Sequence, residues 1–139
     1  MKMDWRLVAA VAAGGALGSV ARYLLGAVIQ DRAATALPLG TLVINVTGSL
    51  LLGFLMRLGL DTSAFSPEMR FFLTTGFCGG YTTFSTFSYE TVRLLEDGEY
   101  GTASVYIASS VLLSILACVI GMGVAGRVIS MGRAGLSAD

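Results

Sequence analysis

Four long stretches of this chain carry no charged residue: Leu7–Ala21, Ala33–Met56, Phe71–Tyr89 and Tyr100–Gly126. A helix needs about 20 mainly apolar residues to cross the hydrocarbon core of a bilayer, with a range near 17–25. The last three stretches meet that length, and the first does so once its helix continues through Arg22 to about Ile29. Charged residues make up 13% of the 139, against roughly 25% in a soluble domain. The expectation is an all-α membrane protein with four transmembrane helices in a single domain over residues 1–139. The spans are placed at about 5–29, 39–60, 67–96 and 100–128, the third broken near 79–82. Lys2 and Arg6 before an apolar stretch resemble a signal peptide. That stretch runs into a glycine-rich segment with Arg22, and three more spans follow, so it reads as a retained first helix.

Composition excludes several function classes. Nine basic and nine acidic residues leave no net charge, and so no basic footprint for nucleic acid. The chain has no histidine, the commonest metal ligand and general base. Cys78 and Cys118 form no CxxC or zinc-type spacing and read as small buried thiols. The serines have no base beside them to make a nucleophile. No catalytic residues are expected, and the chain is read as not an enzyme.

The polar content of the third run is concentrated between Gly76 and Ser88, in Gly-Phe-Cys-Gly-Gly-Tyr-Thr-Thr-Phe-Ser-Thr-Phe-Ser. Glycine costs a helix roughly 1 kcal/mol relative to alanine, so Gly79-Gly80 at membrane depth predicts an interruption, with the helix resuming around Thr83. Irregular backbone is tolerated there only when buried in protein or lining a polar cavity. Freed carbonyls can hold a cation, and a new helix start presents free N–H groups. Phe84 and Phe87 follow three apart on one face, interleaved with Ser85, Thr86 and Ser88. The stretch predicts an ion site joined to a narrow, aromatic-edged polar path.

The other spans add neutral donors. In the first, Gly14, Gly18 and Arg22 share a face, with Gly15 and Ser19 beside them, and small residues so spaced let backbones approach closely. Arg22 lies deep enough to require acceptors or a snorkelling path; it can cap carbonyls, pair with Glu90 or attract an anion. In the second, Thr41, Asn45, Ser49 and Gly53 form one stripe. Asn45 brings an amide close to mid-membrane, and it either bonds another helix or donates into an anion path. In the fourth, Tyr106, Ser110, Ser114 and Cys118 recur every four residues. Glu90 and Arg93 lie three apart near a water-facing end and are expected to pair. A proton-coupled transporter places a carboxylate inside the membrane, and Glu90 is the nearest candidate. Neutral donors with phenyl ring edges, which carry partial positive charge, suit a small anion that must bind weakly enough to leave.

Three motifs carry a resemblance: Gly-Thr-x-x-x-Asn-x-x-Gly at Gly40–Gly48, the Gly76–Ser88 sequence, and Gly14-Gly15-x-x-Gly-x-x-x-Arg-Tyr ending at Tyr23. Together they resemble the Fluc (CrcB) fluoride-channel family over all four spans. The resemblance implies a passive, fluoride-selective channel of the bacterial inner membrane that exports cytoplasmic fluoride. It implies an antiparallel, dual-topology homodimer with two pores and a structural Na⁺ at its centre. By position, the Na⁺ ligands are the backbone carbonyls of Gly79 and Thr82. The fluoride path is carried over to Asn45, Phe84, Phe87, Ser85, Thr86, Tyr106, Ser110 and Ser114, and the vestibule and track end to Arg22 and Glu90.

Charge placement bears on topology. With four spans, Lys2, Arg6, Arg57, Arg70, Arg127 and Arg133 share one side, and Arg22, Arg32 and Arg93 the other. That difference favours the termini inside, whereas dual insertion is easiest near zero bias. Two rival readings stand beside the channel. A small dual-topology multidrug exporter shares the length and helix count, but it needs a carboxylate within the first helix, where none follows Asp4 before the loop. A structural membrane subunit explains the glycine stripes and leaves the Thr/Ser/Phe motif unexplained.

Overall fold

The structure is a computed structural model that describes residues 3–33 and 35–136. Lys2, one of the charges counted above, and residues 137–139 lie outside the described residues, as does residue 34 of the first loop. The described residues are helical with short connections. Helix α1 is Trp5–Arg32, α2 is Leu39–Asp61 and α3 is Pro67–Phe71; a π-helical stretch, Phe72–Cys78, follows directly. Then come α4 (Gly79–Tyr81), α5 (Phe84–Glu96) and α6 (Tyr100–Leu136). Three of these, α1, α2 and α6, are long and apolar enough to cross a membrane. The third apolar run is divided among α3, the π-helical stretch, α4 and the start of α5.

Helix ends follow local chemistry. Asp4 caps α1, its side chain accepting from the Arg6 N–H at 2.9 Å. Ser66 caps α3 by accepting from the Met69 N–H at 3.2 Å, with Pro67 and Glu68 in the first turn, where a missing N–H and a negative charge are both favourable. The acidic turn after α5 closes with Gly98 at φ 77°, a left-handed conformation open to glycine at little cost. The α6 helix continues to Leu136, past the expected end near Val128. Arg133 there donates to the Asp61 carbonyl at the end of α2, at 3.4 Å.

Glycines set the packing. A β-carbon on Gly14 or Gly18 would collide with the Phe72 or Phe77 carbonyl, and one on Gly80 would sit 2.5 Å from the Gly15 carbonyl. The α1 backbone therefore lies directly against the π-helical stretch and α4. The pairing of α2 with α6 is reciprocal: Gly53 faces the Cys118 carbonyl and Gly121 faces the Leu50 carbonyl. Without a hydrophobic drive between helices in lipid, such close approach supplies dispersion contact instead. Of the three apolar helices, α2 is the most enclosed: it buries Leu42, Ile44 and Leu55 as well as Gly40, Thr41, Gly48 and Gly53, whereas α1 buries only Gly14 and Gly18. Leucines, valines and isoleucines line the outer surface of α1 and α6, as expected where hydrocarbon is the solvent. Cys78 and Cys118 are both free thiols, the first buried and the second half-buried.

Candidate functional site

The helical interruption falls at Thr82 and Thr83, whose backbones are extended at ψ 158° and 117°. Of the expected break near 79–82, Gly79, Gly80 and Tyr81 are themselves helical and only Thr82 lies in the interruption. The reason lies in α2. Asn45 Nδ2 donates to the Thr83 carbonyl at 3.0 Å, and Asn45 Oδ1 accepts from the Thr83 N–H at 2.8 Å. One amide side chain thus takes both backbone groups of the residue that leaves the helix. An orphaned pair of that kind would cost several kcal/mol in an apolar medium. Thr83 then caps α5, its Oγ1 accepting from the Thr86 N–H at 3.1 Å.

These bonds bear on two carbonyls. In a continuous helix the Thr83 and Thr86 N–H groups would bond to the carbonyls of Gly79 and Thr82, four residues back. Both donors are diverted here, one to Asn45 and one to the Thr83 hydroxyl. Hard carbonyl oxygens released from helical bonding are suitable ligands for a hard monovalent cation. Gly79 is exposed on the surface of the chain and Thr82 is half-buried. No cluster of His, Cys, Asp or Glu among the described residues can hold a metal.

Next to the interruption lies a cleft of about 310 Å³. Asn45 and Ser49 of α2, Thr82 and Thr83, Phe84 and Phe87 of α5, and Ser110 and Ser114 of α6 face it. Ser110 and Ser114 have buried hydroxyl oxygens with no hydrogen-bond partner, a condition that among the described residues they share only with Arg22 Nε. Buried polar atoms are nearly always paired, and two residues that line one cleft with their hydroxyls unpaired keep two donors uncommitted beside it. The phenyl rings of Phe84 and Phe87 meet at 5.5 Å between centroids, tilted by 45°. Phe84 is 77% exposed and projects from the chain.

Tyr106 stands apart from this cleft. It is fully buried, stacks obliquely on Phe87 at 5.2 Å and donates through its hydroxyl to Glu90 Oε2 at 2.6 Å. The other Glu90 oxygen accepts from Thr41 Oγ1 at 2.9 Å. The expected pairing of Glu90 with Arg93 does not occur: Arg93 turns toward Glu96 and Asp97, at 3.2 and 3.8 Å. Helical spacing allowed either partner, and the donors from α2 and α6 claim Glu90. Arg22 lines a second cavity, of about 350 Å³, with Ser19, Thr41 and Thr86. Ser85 is exposed at the α5 N-terminus, within 3.2 Å of the Thr83 hydroxyl. The α2 stripe in the sequence includes Thr41 without its link to Glu90, and the sequence marks Thr83 only as the point where the helix resumes, with no sign of its two-way bond with Asn45.

The family model described as CrcB-like protein, Camphor Resistance (CrcB), matches residues 9–122. A relative from Rhizobium meliloti (strain 1021), named fluoride-specific ion channel FluC, is 54% identical over 112 residues, covering 81% of this chain and 90% of the relative. Similar proteins of the same name come from Nitrobacter winogradskyi, at 50% identity over 86% of this chain and 95% of the relative, and from Acidobacterium capsulatum, at 48% over 94% and 100%. With the interruption, its amide partner and three apolar helices in place, this chain is an integral membrane protein and belongs to the CrcB family.

Proposed function

We propose that this protein is a passive, fluoride-selective ion channel of the bacterial inner membrane. The observation that carries this reading is the cleft lined by Phe84, Phe87, Ser110 and Ser114, whose two serine hydroxyls have no partner within the chain. Fluoride is small and strongly hydrated, so a path for it must replace water with close donors. Hydroxyls, an amide and positively polarised ring edges do so without a fixed full charge that would trap the ion. The name that the relatives carry points to the same ion.

The working unit in this reading is an antiparallel, dual-topology homodimer with two pores. One chain of this size does not enclose a pore, and Phe84 and Gly79 are both exposed in the single chain, where a second copy would cover them. The third apolar run crosses the membrane as a discontinuous span with the Thr82–Thr83 interruption at mid-depth. A structural Na⁺ sits between the two copies, held by the Gly79 and Thr82 carbonyls, which the diverted N–H groups leave without helical donors. The ion supplies a positive charge that ties the two interruptions together. Asn45, Ser85 and Thr86 continue the polar path, while Glu90, with Thr41 and Tyr106 bonded to it, marks the track end and Arg22 a vestibule.

Ion efflux from liposomes containing the purified protein, followed with a fluoride and then a chloride electrode, tests this function. Rapid fluoride release with negligible chloride release is expected. Release of neither ion from a folded dimer with Na⁺ present overturns it.

A further inference from the structure

Gly48 follows Asn45 by three residues, on the same side of α2. A β-carbon there would collide with Thr82 Cγ2 and lie 3.0 Å from Tyr81 Cδ1. This differs from Gly14, Gly18, Gly53 and Gly121, whose β-carbons would strike backbone carbonyls. At Gly48 the obstacle is a side-chain methyl, seated in the hollow that the glycine leaves.

The rest of Thr82 is held from another direction. Its hydroxyl donates to the Cys78 carbonyl at 2.9 Å, the same oxygen that accepts the Thr82 N–H at 3.0 Å. With the methyl in the α2 hollow and the hydroxyl on Cys78, both branches of the β-carbon are fixed. Tyr81 beside it is also anchored: its hydroxyl lies 3.0 Å from Thr47 Oγ1 and its ring stacks on Phe77 at 5.9 Å. Residues 45 to 48 of α2 thus grip three consecutive residues, Thr83 by the Asn45 amide, Tyr81 by Thr47 and Thr82 by the Gly48 hollow.

We propose that Gly48 is a positioning residue for the interruption: it receives the Thr82 γ-methyl, and that seating sets the direction of the Thr82 carbonyl toward the central cation. The second half rests on the sodium reading above; the seating itself does not. A β-carbon at 48 forces Thr82 outward, which strains the Asn45–Thr83 bonds and misaligns the carbonyl together. Because the closest clash is with a methyl, Thr82→Ser removes it while keeping the hydroxyl that bonds Cys78, and leaves the Tyr81 ring edge, at 3.0 Å, able to give by a few tenths of an ångström.

The test compares the parent, Gly48→Ala, Thr82→Ser and the double variant as full-length protein in detergent. Hydrogen exchange at the Thr83 and Thr86 amides reads the interruption. Thermal unfolding of the dimer, titrated with Na⁺ against N-methylglucamine, reads the cation site. Gly48→Ala is expected to speed exchange at both amides and raise the half-saturating Na⁺ concentration, each by about tenfold, with the double variant returning to within about twofold of Thr82→Ser alone, as for directly coupled neighbours. Parent-like exchange in Gly48→Ala overturns the proposal, as does a defect that Thr82→Ser fails to relieve. If Gly48→Ala does not fold, recovery of a folded dimer in the double variant supports the seating and its absence overturns it. If unfolding of the parent is insensitive to Na⁺, the sodium reading and the carbonyl-direction half fall, and exchange still decides the seating.

Discussion

Asn45 and Thr83, 38 residues apart, exchange two hydrogen bonds, with the Asn45 amide donating at 3.0 Å and accepting at 2.8 Å. The side chain occupies the place that a neighbouring backbone would take, so the interruption is satisfied from α2 and not from within its own helix. A carboxylate in place of this amide would keep the acceptor and lose the donor to the Thr83 carbonyl. It would also add a negative charge to the cleft. Asn45→Asp is expected to suppress fluoride flux by at least about tenfold, an effect of the size of one lost buried hydrogen bond or more. Parent-like efflux from liposomes would confine Asn45 to packing.

Ser110 and Ser114 make the opposite case. Their hydroxyls have no protein partner to lose, so the double substitution Ser110→Ala/Ser114→Ala is expected to leave the melting temperature within about 2 °C, as for changes of under about 0.5 kcal/mol. Fluoride flux should fall sharply, because both donors to the cleft disappear. Unchanged flux with unchanged stability would remove the α6 face from the path.

Phe84 is largely exposed in the single chain, so its ring contributes little to the fold of one copy. Phe84→Ile is expected to reduce flux while leaving the protein folded, because an aliphatic side chain offers no polarised ring edge. Electrode-detected efflux, beside size-exclusion chromatography of the dimer, checks both parts; normal flux would take the ring edge out of the mechanism.

Tyr106 and Glu90 form a buried contact whose worth is structural in the first place. Tyr106→Phe keeps the ring on Phe87 and removes the donor to Glu90 Oε2, leaving Thr41 on the other oxygen. The expected cost is about 1–3 kcal/mol, the range for a buried group left without its partner. Chemical denaturation in detergent measures it, and a loss below about 0.5 kcal/mol would mean that solvent replaces the phenol.

Replacing Na⁺ by N-methylglucammonium throughout purification is expected to abolish fluoride flux, because the large organic cation cannot take close carbonyl ligands at Gly79 and Thr82. Restoring Na⁺ should restore flux. Full activity after thorough exchange would set the cation site aside and leave the anion path to be judged alone.

Much of the architecture was legible because it depends on local properties. Uncharged length marks a membrane-crossing run wherever it occurs, and Ser66-Pro67-Glu68 starts a helix by the bonds that those residues offer their own backbone. The four-residue spacing of Gly14 and Gly18 identifies a close-packing face without naming what packs there. The same arithmetic placed Tyr106, Ser110 and Ser114 on one face of α6.

Which partner each polar group takes was decided only in three dimensions. Periodicity gives a face, while a hydrogen bond depends on what another helix brings within about 3 Å. Glu90 had Arg93 at helical spacing, yet Thr41 and Tyr106 arrive from α2 and α6 and hold both of its oxygens. Tyr106 finds a partner, and Ser110 and Ser114 on the same face do not. Glycine propensity pointed to a break beginning at Gly79-Gly80, but those residues stay helical, Gly80 against α1, and the chain opens only at the end of the expected range, at Thr82–Thr83. It opens there because Asn45 supplies both missing bonds at Thr83 and Gly48 leaves room for Thr82, and neither condition is written in the segment that breaks.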